Sequence, residues 1–148
     1  MDTIVVSAFP GTGKTYSHKH DDLITLDSDS SKFSWIEKGI RHPDFPNNYI
    51  EHIKKNLGRA NIIFVSSHKV VRNALVDAGI KFVLVFPERS CKNEYLNRFK
   101  NRGNDESFIS FIENGWNDFI DEMEQQSGCW IIRLKRGEYI SNILEDIF

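Results

Sequence analysis

The chain has 148 residues, of which 40% are hydrophobic and 27% are charged, and its formal net charge at pH 7 is -2. These values predict a single soluble globular domain, residues 1–148, and exclude a general electrostatic attraction to duplex nucleic acid or to membranes. No apolar run has the length of a membrane span, and two cysteines without CxxC spacing favour reduced thiols and a cytoplasmic location.

The segment from residue 4 to residue 16, IVVSAFPGTGKTY, has the order of a phosphate-binding P-loop. Its apolar start predicts a buried strand, and the glycine-rich turn that follows can point successive main-chain N–H groups at an anion. A helix beginning after the turn would add further N–H groups and the positive end of its dipole. Lys14 would reach the outer phosphates of a nucleotide, and the Thr15 hydroxyl would hold Mg²⁺. The predicted nucleotide-binding residues are Pro10, Gly11, Thr12, Gly13, Lys14, Thr15 and Tyr16.

One position departs from the P-loop pattern GxxxxGK[ST]. The pattern begins with glycine, and this chain has Ala8 there. A methyl group is tolerated if the backbone keeps a negative φ, so we expect the departure to cost little. A glycine-rich turn that binds nothing is the alternative interpretation, and the Gly-Thr-Gly-Lys-Thr run after an apolar strand disfavours it.

Apolar strand patterns alternate with helical patterns along the rest of the chain. After the first strand, the predicted strands are residues 23–26, 62–65, 82–86 and 130–132. The predicted helices are residues 14–20, a helical turn over 34–38, a helix capped by Asn47 or Asn48 that reaches residue 57, and then 70–78, 91–102, 106–126 and 139–148. This alternation predicts an α/β fold with a parallel sheet and helices on both faces. In such sheets, ligands bind outside the carboxyl ends of the strands.

Two carboxylates, Asp27 and Asp29, follow the predicted second strand. Mg²⁺ usually keeps several waters in proteins, so one aspartate together with Thr15 and the phosphates would suffice to hold it, and we assign Asp27 to that role. Asp29 would lie beside the acceptor and could take the proton of an acceptor hydroxyl. A solvated Asp/Ser turn is the alternative, but the third strand is followed by Ser66 rather than by an acid.

Basic residues cluster after the fourth predicted strand. Arg98 and Arg102 are four residues apart and share a helix face. The other members of the cluster are Arg89, Lys92 and Lys100. Cations placed around a transferred phosphoryl group stabilise its spreading charge, and a movable basic helix would also exclude water. We therefore predict a basic lid over about residues 89–105, held down by few apolar residues, in which Arg98 and Arg102 are catalytic; a solvated helix face is the alternative.

Two further residues are candidates for holding the acceptor. Arg41 could bind a phosphate or carboxylate of the acceptor, and Trp35 could stack on its ring. Packing or loop structure explains either residue equally well.

On these motifs the chain resembles the small P-loop kinases, the group of nucleoside monophosphate kinases, shikimate kinases and the compact nucleotide kinases of phages. Residues 8–15 are similar to their Walker A loop, residues 27–29 are similar to the DxD motif of the shikimate kinases, and Arg98 and Arg102 are similar to the lid arginines. The resemblance implies a three-layer P-loop NTPase fold with a five-stranded parallel sheet in the order 2-3-1-4-5. It also implies ATP with Mg²⁺ as donor, with the first aspartate of the DxD motif attending the metal and the second the acceptor hydroxyl.

The sequence therefore predicts a kinase that transfers the γ-phosphoryl group of ATP to a small acceptor, with a nucleotide or nucleoside as the expected class. The predicted catalytic residues are Lys14, Asp27, Asp29, Arg98 and Arg102. A hydroxyl-directed kinase acting on a sugar, small metabolite or polynucleotide end stays open, as does a nucleotide-binding module without turnover. A GTPase-type switch is disfavoured because DxxG and NKxD motifs are absent from the sequence. The expected partner is a small molecule, not duplex nucleic acid or a membrane, and the chain is expected to be a monomer or homodimer.

Overall fold

The computed structural model of the chain describes residues 2–13, 24–27, 35–37 and 40–143; at positions 27, 35–37, 40 and 41 this description covers the backbone only. The strands are β1 (Ile4–Ala8), β2 (Thr25–Asp27), β3 (Trp35–Glu37), β4 (Ile40–Arg41), β5 (Ile62–Ser66), β6 (Phe82–Pro87) and β7 (Trp130–Leu134). The α-helices are α1 (Asn47–Asn56), α2 (Lys69–Asp77), α3 (Lys92–Asn101) and α4 (Glu106–Glu124), and short 3₁₀ turns cover Arg89–Cys91 and Ile140–Ile143.

Five strands form one sheet in the order β2-β5-β1-β6-β7, and every neighbouring pair is parallel. The predicted α/β class and the five parallel strands are therefore confirmed. Because β1 lies in the middle, the chain first leaves it towards β2 at one edge and later crosses it from β5 to β6. A reversal of this kind opens a crevice at the carboxyl ends of the central strands, where open α/β sheets bind their ligands.

Two apolar clusters cover the two faces of the sheet. Residues that alternate along β1, β5 and β6 belong to different clusters, as expected when successive side chains point to opposite faces. The larger cluster receives the buried faces of all four described helices. The smaller cluster includes Ile140 and Ile143 from the second 3₁₀ turn. The helix predicted at 14–20 and the second half of the helix predicted at 139–148 lie outside the described residues. The described part of the chain therefore does not test the prediction that helices cover both faces of the sheet.

Two local predictions are wrong. In the segment 34–38, the described residues form strand β3, which pairs antiparallel with β4, instead of a helical turn. Trp and Ile, which favour strands, occupy three of the five positions in these two strands, and this β preference outweighs the weak helical pattern. Helix α1 begins at Asn47 and follows Pro46, so neither asparagine precedes the helix as a cap. By contrast, α2 and α3 end close to Gly79 and Gly103 as predicted, and both glycines have a positive φ.

Helix α4 carries Trp116, the largest fully buried side chain among the described residues. Its ring contacts Phe9 edge-on at 5.8 Å between centroids and Tyr95 at 5.9 Å, and its Nε1 donates a hydrogen bond of 2.9 Å to the carbonyl oxygen of Arg89. Phe9 directly follows β1, so Trp116 connects α4 to the start of the glycine-rich loop. None of the described helices is long and apolar enough to span a membrane.

We predict that Trp116→Phe lowers the free energy of unfolding by about 1–3 kcal/mol, because it removes apolar contacts and leaves the Arg89 carbonyl without its donor. Trp130→Phe is the matched control, since Trp130 is 75% exposed, and it should change the free energy by no more than about 0.5 kcal/mol. Urea unfolding followed by circular dichroism measures both. Equal losses in the two variants would contradict the assigned role of Trp116.

Candidate functional site

The glycine-rich loop leaves the carboxyl end of β1, the middle strand of the sheet. The N–H of Phe9 donates to the carbonyl oxygen of Val85 (2.9 Å), which ties the start of the loop to β6. The hydroxyl of Thr12 donates back to the carbonyl oxygen of Phe9 (2.8 Å), so the loop closes on itself. Gly11 and Gly13 have φ values of 84° and 94°, in the region that favours glycine.

In the part of the chain that the structure describes, two N–H groups of this loop have no acceptor. They are the main-chain N–H groups of Gly11 and Gly13, whereas Thr12 is 0% exposed and its N–H closes the turn over Pro10 and Gly11. Successive N–H groups in a turn with left-handed residues form a concave nest that suits an anion. Gly11 and Gly13 are both partly exposed, so an external acceptor can reach their N–H groups.

Aromatic rings pack closely against both glycines. A Cβ atom added to Gly11 would lie 2.9 Å from Cε1 of Phe99 and 3.3 Å from Cδ2 of Tyr95. A Cβ atom added to Gly13 would lie 2.9 Å from Cδ1 of Tyr139. The two glycines are therefore required both by their φ values and by close contact with rings from α3 and from the segment after β7.

Ala8, the departure from the P-loop pattern, fits its position. It pairs with Ser66 on one side and with Val85 on the other, and it is 1% exposed. Among the described residues, positive φ values occur only at glycines, so the condition for tolerating a methyl group at Ala8 is met. The small cost that we expect from this departure stays a prediction.

Arg98, a predicted catalytic residue on α3, lies directly at the loop. Its Nη1 donates to the carbonyl oxygen of Gly11 (2.8 Å), and its Nη2 donates to the carbonyl oxygen of Glu138 (3.1 Å) and to Oε2 of Glu94 (3.1 Å). The guanidinium carbon is 4.4 Å from the ring centroid of Tyr95 and 3.9 Å from that of Tyr139. The Arg98 side chain is only 10% exposed. Its charge is therefore balanced by Glu94, and its donors face main-chain oxygens.

The segment after β7 holds the loop from the same side as Arg98. The N–H of Ile140 donates to the carbonyl oxygen of Thr12 (2.9 Å). Glu94 accepts from the N–H of Gly137 (2.8 Å), which ties this segment to α3. Sequence reasoning missed Glu94, Tyr95 and Tyr139, since nothing in a single sequence indicates that residues 94–98 and 137–140 meet at the glycine-rich loop.

The other predicted site residues are only partly placed. Lys14, Thr15, Tyr16 and Asp29 lie outside the described residues. Asp27 ends β2, and its backbone pairs with Phe64, two residues before β5 ends at Ser66. The Cα of Asp27 is therefore about 7 Å, the length of two strand residues, short of the rim of the sheet at Ser66.

The backbones of the two residues that were predicted to hold the phosphoryl acceptor lie opposite each other. Trp35 and Arg41 are register partners in the small antiparallel sheet. The described residues contain no group of three or more His, Cys, Asp or Glu side chains that could hold a metal ion.

The basic cluster does not face one site. Arg89 pairs with Asp121 and bonds to Asn117 on α4, whereas Arg102 is exposed, with its guanidinium carbon 6.0 Å from the centroid of the Phe99 ring. The expectation that few apolar residues hold residues 89–105 down is wrong, because Cys91, Tyr95 and Phe99 are buried in the larger cluster. A role of this segment as a lid stays a prediction.

Tyr95 is buried among apolar rings, and its hydroxyl has no hydrogen-bond partner among the described residues. Burial raises the pKa of this hydroxyl, and the positive charge of Arg98 opposes the shift. Tyr95 therefore stays protonated at neutral pH.

The neighbouring rim of the sheet is held by a buried cation. Arg72 is 1% exposed, and its Nε donates to the carbonyl oxygen of Ser67 (2.8 Å) while its other nitrogens bind Glu122 and Gln126 at the end of α4. Burial lowers the pKa of Arg72, and the charge of Glu122 opposes that shift. These bonds fix the segment after β5 beside the glycine-rich loop.

A separate groove of about 430 Å³ lies between α1 and α2. Its lining includes Glu51, Lys54 and Asp77, and it contains none of the predicted site residues. The candidate site is therefore the rim at β1 and not this groove.

Comparison with known proteins adds no relative: no protein-family model matches the chain, and no curated protein matches it. The candidate site consequently rests on the chain's own sequence and geometry.

We predict that Gly11→Ala destabilises the protein more than Gly79→Ala. Both glycines have a positive φ, and an added Cβ at Gly79 meets nothing within 4 Å. Gly79→Ala should cost about 1–2 kcal/mol of unfolding free energy from backbone strain alone. Gly11→Ala should cost about 1–3 kcal/mol more, because the Phe99 ring is buried and cannot move aside. Urea unfolding measures the difference, and equal costs would contradict the ring contact.

Proposed function

We propose that the chain is an ATP-dependent P-loop kinase that transfers the γ-phosphoryl group to a small acceptor, a nucleotide or nucleoside. The observation that carries the proposal is the pair of N–H groups at Gly11 and Gly13, which have no acceptor among the described residues. They follow the middle strand of a parallel sheet, at the edge where such sheets bind phosphates. If the five strands of this sheet are numbered 1 to 5 in chain order, the order β2-β5-β1-β6-β7 becomes 2-3-1-4-5. The resemblance to small P-loop kinases implies this order, so the strand order supports the proposal further.

In this proposal Lys14 follows the nest directly in sequence and neutralises the outer phosphates. Thr15 and Asp27 hold Mg²⁺, which would screen the charge that develops on the phosphates during transfer. Asp27 ends its strand below the rim, and it would reach the metal through one of the waters that Mg²⁺ keeps.

A second acceptor class, a hydroxyl group, gains support from the position of Arg98. A phosphate acceptor needs free cations to offset repulsion between two anions, and Arg98 is occupied by Gly11, Glu94 and Glu138. This leaves Arg41 and Arg102 as the candidate cations, whereas Asp29 supplies the carboxylate that a hydroxyl acceptor requires. A binding module without turnover has no support from Ala8, whose methyl group fits within β1.

We expect Lys14→Ala to lower ATP-dependent phosphoryl transfer by roughly 10²-fold or more, because the charge of the transferred group loses its nearest cation. Lys55→Ala is the control, since Lys55 is an exposed lysine in the last turn of α1. Radiolabelled γ-phosphate transfer to a panel of nucleosides, nucleotides and sugars measures the effect. Circular dichroism must first show that both variants are folded. Turnover of Lys14→Ala within a few-fold of the control would contradict the proposal, and ATP binding without transfer to any acceptor would favour the binding module.

Asp29→Asn and Arg41→Ala together identify the acceptor class. With a hydroxyl acceptor, Asp29→Asn should slow single-turnover transfer by about 10²–10⁴-fold, since general-base assistance has that size. With a phosphate acceptor, whose oxygen is already anionic, Asp29→Asn should have little effect and Arg41→Ala the larger one. Rapid-quench measurements with the acceptor found in the panel decide between them. If neither variant slows transfer, both residues are wrongly assigned.

A further inference from the structure

The side chain of Arg98 forms its hydrogen bond to the glycine-rich loop through a main-chain carbonyl oxygen and not through an N–H group. Its Nη1 donates to the oxygen of Gly11, and the N–H of Ile140 donates to the oxygen of Thr12. We call these two hydrogen bonds the brace. Both donors come from distant parts of the chain, α3 and the segment after β7, and Arg98 also bonds to the carbonyl of Glu138 and thereby joins them.

The brace has a direct effect on the nest because peptide groups are planar and trans. In a trans peptide, the C=O of one residue and the N–H of the next point in opposite directions. A donor on the Gly11 oxygen therefore turns the Thr12 N–H away from Arg98, and a donor on the Thr12 oxygen turns the Gly13 N–H away from Ile140. The rings of Phe99 and Tyr139 fill the space behind the two glycines on the brace side.

We propose that Arg98 is a positioning residue that orients the N–H groups of the nest towards a polyphosphate, and that it does not contact the transferred phosphoryl group. The inference deepens the proposed kinase function and rests on it for the identity of the ligand. Arg98 is suited to this role because its planar fork donates to two carbonyl oxygens at once while stacked between Tyr95 and Tyr139. Glu94 neutralises its charge at 3.1 Å, so Arg98 acts through geometry more than through net charge.

The first test needs no ligand. Amide order parameters from ¹⁵N relaxation should be about 0.85 at Thr12 and Gly13 in the unmodified chain, and below about 0.6 at Thr12 in Arg98→Ala. Arg59→Ala removes the same charge from an exposed residue between α1 and β5 and should leave both values unchanged. Rigid Thr12 and Gly13 amides in a folded Arg98→Ala would overturn the proposal. Should Arg98→Ala not fold, Arg98→Lys is measured instead, since a lysine cannot bridge two carbonyl oxygens in the same way.

The second test uses inorganic triphosphate and ATP as probes. Both Arg98→Ala and Arg98→Lys should raise the dissociation constant of each probe by about tenfold or more, because a charge-assisted hydrogen bond that orients the nest is lost. The turnover number at saturating ATP should fall less than the affinity. If Arg98→Lys binds both probes as tightly as the unmodified chain, the charge alone matters. If a variant lowers the turnover number and leaves the affinity unchanged, Arg98 contacts the reacting group directly. Either result overturns the positioning role. If the unmodified chain binds neither probe, the proposed function fails, while the order parameters still decide whether Arg98 orients the nest.

Discussion

The orientation of two peptide groups is the constraint on which the candidate site depends. The carbonyl oxygens of Gly11 and Thr12 accept hydrogen bonds from one side, and the N–H groups of Gly11 and Gly13 have no acceptor within the described ranges of the chain. A short loop cannot achieve this alone, since its glycines add conformational freedom that must be removed. Arg98 and Ile140 supply this restraint from 87 and 128 residues further along the chain.

The packing of the larger cluster serves the same end. Phe9, Tyr95 and Trp116 form a chain of aromatic contacts that runs from the start of the loop to α3 and α4. Tyr95 belongs to this chain although its buried hydroxyl lacks a partner among the described residues, an arrangement that costs free energy. Its ring lies close to both the Gly11 backbone and the guanidinium of Arg98.

The features that sequence alone predicted are those set by local pattern. Uninterrupted apolar runs predicted β1, β5 and β6, and glycine positions predicted the ends of α2 and α3, because burial on both faces and positive φ have direct sequence signatures. The β3–β4 hairpin was missed because strands of two or three residues carry too little pattern. The position of Arg98 was anticipated, but its partners were not, because which atoms meet its guanidinium depends on contacts between segments 40 and 87 residues apart.

Amide hydrogen exchange at Gly11 and Gly13, with and without ATP and Mg²⁺, tests the central claim most directly. These two N–H groups are partly exposed and have no acceptor among the described residues, so they should exchange rapidly in the free protein and slow markedly when phosphate oxygens accept their hydrogen bonds. Inorganic triphosphate should produce the same protection. Rapid exchange that persists at both amides in millimolar ATP and in triphosphate would contradict the assignment of this loop as a phosphate-binding site.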